Sequence, residues 1–131
     1  MRIGVLDDNI PILECVTTML ELVGHTVSTH SASRSLLDVL FPSGIVATPL
    51  PYDLVILDEI IGAVSQGQLE LDAVIELVRA RPASVSVLLT GHDDREEFIE
   101  RLLAIADLAS EMRKVKHPFD AGRQAIKGLD Y

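Results

Sequence analysis

Short apolar runs alternate with segments of helical periodicity along this chain of 131 residues. The first apolar run, residues 2–6, stops at the polar triplet Asp7-Asp8-Asn9, and the next segment repeats apolar side chains at helical spacing as far as Gly24. Pro11 suits the first turn of a helix, where its missing N–H costs nothing, and Gly24 suits the left-handed position just after one. The pattern therefore predicts a strand, a turn and a helix over residues 2–24.

The same two patterns recur along the rest of the chain. Four further strands are predicted at residues 25–31, 53–57, 85–89 and 112–116, and four further helices at 33–40, 71–78, 98–105 and 120–129. Two stretches are predicted as loops: residues 41–51, which contain three prolines, and the segment around Gly62 and Gly67. Because strands that alternate with helices favour an α/β fold, we expect a doubly wound five-stranded parallel sheet with helices on both faces.

The composition is that of one acidic globular domain. Hydrophobic residues make up 48% of the chain and charged residues 24%, and 11 Lys and Arg against 20 Asp and Glu give a formal net charge of −9. This balance excludes intrinsic disorder and disfavours nucleic acid and anionic membranes as partners. Cys15 is the one cysteine, which excludes an internal disulfide and a cysteine-rich zinc site.

These observations also set an expectation for organisation and location. We expect a single domain over residues 1–131 with no output domain after it. Apolar runs are too short to span a membrane, and no signal segment precedes the first strand. The protein is therefore expected to be soluble and cytoplasmic.

Polar side chains follow the predicted strands at the edge where parallel strands end together. They are Asp7 and Asp8 after the first strand, Asp58 and Glu59 after the third, Thr90 after the fourth, and Lys116 and His117 after the fifth. Ligand sites in open parallel sheets lie beyond this edge. Clustered carboxylates repel one another unless a hard cation lies among them, and Mg²⁺ with oxygen ligands fits best. The residues therefore predict a magnesium site suited to phosphoryl transfer, with a carboxylate as the nucleophile.

Four short strings at these strand ends carry a resemblance to a known family. They are Leu6-Asp7-Asp8-Asn9, Leu54-Val55-Ile56-Leu57-Asp58, Leu88-Leu89-Thr90-Gly91 and Lys116-His117-Pro118-Phe119-Asp120. In this order and spacing the chain resembles, along nearly its whole length, the receiver domain of two-component response regulators. The resemblance implies a flavodoxin-like fold with strand order 2-1-3-4-5.

The resemblance also implies roles for individual residues. Asp58 would be the phosphoacceptor, and Thr90 and Lys116 would contact the phosphoryl group. The Mg²⁺ ligands would be Asp58, Asp8, Asp7 through water, and the main-chain carbonyl of Ile60.

Two positions depart from the receiver pattern. His117 stands directly before Pro118, where that family has a lysine, so either Lys116 reaches the site through a bulge or His117 fills the role. Arg113 or Lys114 stands where the family has an aromatic residue. The resemblance therefore leaves open which basic side chain pairs with the phosphoryl charge.

We accordingly expect a signalling receiver, a phosphoprotein of a two-component system that acts as a regulatory domain and not as an enzyme. Its partners would be a sensor histidine kinase or phosphotransfer protein and a downstream protein target, with a homodimer left open. The alternative is a receiver-fold binding module that is not phosphorylated.

Two other functions fit the residues less well. A hydrolase of the haloacid dehalogenase type needs a second aspartate where Ile60 stands. A flavodoxin-like nucleotide-binding protein is disfavoured because no glycine-rich phosphate loop follows the first strand.

Overall fold

A computed structural model describes residues 1–32, 51–93 and 95–124 of the chain. Within these residues the chain forms four strands and four α-helices, with one 3₁₀ turn at Pro118–Ala121. The strands are β1 (Arg2–Leu6), β2 (Thr26–His30), β3 (Leu54–Leu57) and β4 (Ser86–Leu89). The helices are α1 (Ile10–Leu22), α2 (Ile60–Ser65), α3 (Leu71–Ala80) and α4 (Glu96–Leu103).

The four strands lie parallel in one sheet, in the order β2-β1-β3-β4. β1 is therefore internal, with Ile3 opposite Val27 of β2 on one side and opposite Leu54 of β3 on the other. Parallel neighbours need crossover connections, and α1 lies in the connection from β1 to β2. The α/β class and the first four positions of the predicted strand order are confirmed.

Different helices cover the two faces of the sheet. On one face, Ile3 and Val5 pack with Leu13 of α1. On the other face, Val55 and Leu57 belong to a larger apolar cluster with side chains of α2 and α3, and Val55 is 1% exposed. Successive side chains of a strand point to opposite faces, so the continuous apolar runs of β1 and β3 are buried on both. The sheet thus carries helices on both faces.

α1 begins and ends as its sequence predicts. The Asn9 side chain caps it by accepting a hydrogen bond from the Ile12 N–H at 3.3 Å, and Pro11 lies in its first turn. Gly24 follows the helix with a φ of +88°, a left-handed conformation that other residues rarely adopt. These local features hold the acidic residues after β1 at the start of α1.

The prediction is wrong in two described segments. Residues 112–116, predicted as a fifth strand, form no strand, because three of the five side chains are basic and all five residues lie in solvent. The segment after β3, predicted as a loop, begins with α2. Ile60 and Val64 are one helical turn apart and both are buried, so this short helix is stabilised by packing on the sheet.

Other predicted elements lie partly or wholly outside the described residues. These are the helix at 33–40, nearly all of the loop at 41–51, and the part of the final helix beyond residue 124. The start predicted for that final helix, Asp120, lies inside the 3₁₀ turn, which ends at Ala121 and is followed by Gly122. Among the described residues, no helix is long and apolar enough to cross a membrane.

Candidate functional site

The hydroxyl of Thr90 joins the carboxyl ends of β3 and β4. Its Oγ1 donates a hydrogen bond to Asp58 Oδ1 at 2.6 Å and accepts one from the backbone N–H of Glu59 at 2.9 Å. The ladder between the two strands continues to this point, since the Thr90 N–H donates to the Leu57 carbonyl at 3.1 Å. The structure therefore brings Asp58 and Thr90 together and adds Glu59 to the group.

Glu59 turns the chain from β3 into α2 in a strained conformation. Its φ of 51° lies in the left-handed region, and it is the one non-glycine residue there in the described part of the chain. Such a conformation costs on the order of 1–3 kcal/mol and is found most often at functional sites. Glu59 Oε2 lies 3.1 Å from where a Cβ on Gly62 would stand, so this side chain folds back over the start of α2.

The acidic pair after β1 has a different setting. Asp7 is 6% exposed, and its Oδ1 accepts a hydrogen bond from the Asn9 N–H at 2.7 Å, which shapes the turn into α1. Asp8 is exposed, and Ile60 begins α2 with its side chain buried. Over residues 1–32, 51–93 and 95–124, no group of three or more His, Cys, Asp or Glu side chains is placed to hold a metal ion. Asp7, Asp8 and Asp58 therefore do not form a ready-made cage, and magnesium binding stays a prediction.

Lys116 and His117 lie in a segment, residues 106–124, in which every residue is exposed. Within the described chain Lys116 forms no ion pair, whereas its neighbour Lys114 pairs with Asp120 at 2.9 Å. His117 Nδ1 accepts a hydrogen bond from the Phe119 N–H at 3.1 Å and so caps the 3₁₀ turn. As far as the structure describes the chain, neither basic side chain contacts Asp58.

The loop after β4 packs closely against α2. Gly91 has a φ of +127°, and a Cβ at this position would lie 2.9 Å from Ile61 Cβ. The Ile61 N–H also donates to the Thr90 carbonyl at 3.3 Å. The absence of a side chain at Gly91 therefore allows the loop to hold Thr90 beside the start of α2.

Asp93 lies further along the same loop and is the centre of a group that the sequence analysis missed. Its carboxylate accepts hydrogen bonds from Ser65 Oγ of α2 and from the Arg95 guanidinium, with Nη2 at 2.6 Å. These bonds, first from Arg95 and then from Ser65, hold the pKa of Asp93 well below its ordinary value. The Arg95 guanidinium lies over the Phe98 ring, 3.7 Å from its centroid. An aspartate two residues before an arginine, just ahead of a helix, is the pattern that could have revealed this group.

The edge formed by β3 and β4 offers carboxylate oxygens for a cation. Asp58 Oδ1 is engaged by Thr90, while Asp58 Oδ2 takes no hydrogen bond from the described residues. Glu59 adds an exposed carboxylate at the next position. Mg²⁺ is usually bound in proteins through one or two carboxylates, water and the phosphates of a substrate. The arrangement thus suits a metal that arrives with a phosphate ligand better than a metal held by protein groups alone.

Comparison with known proteins relates the chain to a family of enzymes. Residues 43–131 match the family described as ATP:corrinoid adenosyltransferase BtuR/CobO/CobP. The corrinoid adenosyltransferase CobA of Salmonella typhimurium is 41% identical over 86 residues, which are 66% of this chain and 41% of that protein. The corrinoid adenosyltransferase of Pseudomonas aeruginosa is 44% identical over 78 residues, 60% of this chain and 36% of that protein. That of Escherichia coli K12 is 39% identical over 79 residues, 60% of this chain and 38% of that protein.

The match covers only part of this chain and only part of each relative. The chain spans about two fifths of the length of these curated relatives. Residues 1–42, which include β1, α1 and β2, lie outside the family match. Asp58, Glu59 and Thr90 all lie within it.

These matches overturn the interpretation as a response-regulator receiver. The phosphorelay function, the unphosphorylated receiver module and the histidine kinase partner are wrong, because the matched family and relatives are corrinoid adenosyltransferases. The prediction that the chain is not an enzyme is wrong for the same reason. Physically, acidic and hydroxyl side chains after buried parallel strands serve ligand sites in many α/β proteins, so their presence does not select one chemistry.

Proposed function

We infer the function from family membership: the chain belongs to the ATP:corrinoid adenosyltransferase BtuR/CobO/CobP family, and we propose that it acts in transferring the adenosyl group of ATP to a corrinoid. The observation that carries this proposal is that one family match covers β3, β4 and the side chains at their carboxyl ends. The chain spans about two fifths of its relatives' length, so the complete reaction is proposed for the whole protein and the site described above for this chain.

In this proposal the edge of β3 and β4 binds the phosphates of ATP together with Mg²⁺. Asp58 would supply Oδ2 to the metal, while the bond from Thr90 to Oδ1 keeps the carboxylate in one orientation. When bound, the metal neutralises phosphate charge, which a chain of net charge −9 would otherwise repel. Glu59, exposed next to Asp58, is a second carboxylate at this edge and also lies within the matched segment.

The other residues predicted from the sequence to bind the metal or the phosphate are also part of this proposal. Asp8 follows β1, the strand beside β3, and is exposed, and in this proposal it would be a metal ligand from the segment outside the family match. Asp7 would act through water, and Ile60 through its main-chain carbonyl at the start of α2. Lys116 lies within the matched segment and would contact phosphate charge. We propose a cytoplasmic location, for which the support is a single cysteine in the sequence.

The experiment measures ATP binding and adenosyl transfer separately. Calorimetry on the full chain should show ATP binding that depends on Mg²⁺ and is lost when the metal is chelated. Transfer is followed by chromatography of the adenosylated corrinoid formed from labelled ATP, with and without a chemical reductant. Asp58→Asn should weaken metal-dependent ATP binding by about tenfold or more, because a hydrogen-bonded charged group contributes roughly 1.5–3 kcal/mol.

The matched control is Asp72→Asn. Asp72 is an exposed carboxylate on α3 that pairs with Arg101 of α4, so the substitution removes the same charge elsewhere on the molecule. It should leave ATP binding unchanged. Equal affinity of wild type and Asp58→Asn for ATP, or binding that is indifferent to the metal, would contradict the assignment of the site.

A further inference from the structure

The strongest feature outside the proposed metal ligands is the Asp93 cluster, formed by Ser65, Asp93, Arg95 and Phe98. The Asp93 side chain is 3% exposed, although the residue as a whole is half-buried in a surface loop. An ionised carboxylate is buried at a high cost unless its oxygens are hydrogen-bonded. Asp93 meets this condition, because both of its oxygens accept hydrogen bonds.

The hydrogen bonds of Asp93 tie three elements together. Oδ1 accepts from the Arg95 backbone N–H at 2.7 Å and from Arg95 Nε at 2.9 Å, and Oδ2 accepts from Arg95 Nη2 at 2.6 Å. Oδ2 also accepts from Ser65 Oγ, the last residue of α2. Arg95 is the N-cap residue of α4 and stacks on Phe98 within that helix. The loop after β4 is thereby fixed to the end of α2 and to the start of α4.

The same loop is fixed to the other end of α2 as well. The Thr90 carbonyl accepts from the Ile61 N–H, and Gly91 lies against Ile61 with no room for a Cβ. Ile61 and Ser65 are four residues apart in a helix, which is about 6 Å along its axis. Residues 90–93 therefore run along α2 with an anchor at each end, and Thr90 occupies the end that faces Asp58.

We propose that Asp93 is a positioning residue, which by anchoring residues 90–93 to α2 holds the Thr90 hydroxyl against Asp58 and the Glu59 N–H. The consequence for the site rests on the proposed function, since it is there that the orientation of Asp58 matters for a metal-bound phosphate. The anchoring itself does not depend on any ligand. A purely structural ion pair would stabilise the whole fold, whereas a positioning residue acts on Thr90 and its partners.

The test measures amide hydrogen exchange by nuclear magnetic resonance in the full chain without ATP. Two amides report the position of Thr90 directly: Glu59 N–H, which donates to its hydroxyl, and Ile61 N–H, which donates to its carbonyl. In Asp93→Asn both should exchange about tenfold faster, the effect of losing one hydrogen bond. Sheet amides away from the loop, such as that of Ser86, which donates to the Asp53 carbonyl, should keep their protection.

Ser65→Ala is the second variant, because it removes the anchor on α2 and leaves the Arg95 pair in place, so folding is retained. It should also make the Glu59 and Ile61 amides exchange faster. Asp72→Asn breaks the exposed ion pair between α3 and α4 and is the control. It should leave the exchange rates of both amides unchanged. A uniform loss of protection across the sheet in Asp93→Asn, or unchanged exchange at Glu59 and Ile61 in both variants, would overturn the proposal.

A binding measurement connects the inference to the site. Ser65→Ala and Asp93→Asn should raise the Mg²⁺ concentration needed for half-maximal ATP binding. At saturating Mg²⁺ the affinity of both variants for ATP should be close to that of the wild type. If wild type binds no ATP while the exchange results hold, the proposed function fails and the positioning role stands. If ATP binds normally to both variants at every metal concentration, Asp93 does not position the site.

Discussion

Gly91→Ala tests the close approach between the loop after β4 and α2. Two features of the structure oppose a side chain at this position. The backbone φ is +127°, where residues other than glycine are strained, and the new Cβ would lie 2.9 Å from Ile61 Cβ and 3.1 Å from the Gly62 backbone nitrogen. Both neighbours belong to the rigid start of α2, so neither can move without shifting the helix.

The size of the effect follows from these two features. A non-glycine residue in such a region costs on the order of 1–3 kcal/mol. Forcing a methyl group into packed surroundings adds about 1–3 kcal/mol. We therefore expect Gly91→Ala to lower the free energy of unfolding by roughly 2–6 kcal/mol, a large part of the roughly 5–15 kcal/mol that stabilises an ordinary domain.

Gly67→Ala is the matched control. Gly67 also has a positive φ, +71°, but nothing lies within 4 Å of the position its Cβ would take. This variant should lose only about 1 kcal/mol, from backbone strain alone. Urea denaturation followed by circular dichroism gives both values, provided that the slope of the transition is unchanged. Equal losses in the two variants would refute the contact between Gly91 and α2.

Two further predictions concern pH. Hydrogen bonds from Arg2 lower the pKa of Asp53 to about 2, so this pairing stabilises the fold above the unfolded pKa near 3.8 and is lost as the pH falls through the folded value. Asp53→Asn should accordingly flatten acid unfolding between about pH 4 and pH 2, measured by far-ultraviolet circular dichroism, and superimposable curves would contradict it. Burial lowers the pKa of His30 below its ordinary 6.5, so the folded state loses stability as the pH falls below that value toward the folded pKa. His30→Gln should reduce this slope in thermal melts between about pH 7.5 and pH 5.5, and an unchanged slope would assign it to another group.

Much of the fold can be predicted from the sequence because the relevant information is local. The apolar runs of β1 and β3 predict strands buried on both faces, and Asn9, Pro11 and Gly24 fix the ends of α1. α2 could not be predicted in this way, since Gly62 lies in its centre and its stability comes from Ile60 and Val64 packing on the sheet.

The identity of the site could be predicted only in part. That Asp58 and Thr90 follow adjacent parallel strands can be inferred from strand order, and the structure places them 2.6 Å apart. Which ligand they serve cannot be inferred from them, because the same edge binds unrelated ligands in different α/β proteins. The sequence analysis disfavoured a nucleotide-binding protein because no glycine-rich loop follows the first strand, yet the matched family is named for a nucleotide, ATP. In the Asp93 cluster, the pairing of Asp93 with Arg95 is local and could be read from their spacing ahead of α4, whereas the contact with Ser65 of α2 depends on packing between elements that no short motif encodes.

The internal position of β1 has a consequence for the newly made chain. β1 is synthesised before β3, and Leu6 pairs with Leu57, 51 residues later in the chain. At about 5–20 residues per second, the strand waits roughly 3–10 seconds on the ribosome before that neighbour exists. An unpaired strand edge attracts other chains during such a delay. α1 and β2 follow β1 directly in the chain, and in the structure β2 pairs with β1 and α1 packs on it. We therefore expect α1 and β2 to cover β1 while β3 is still being made.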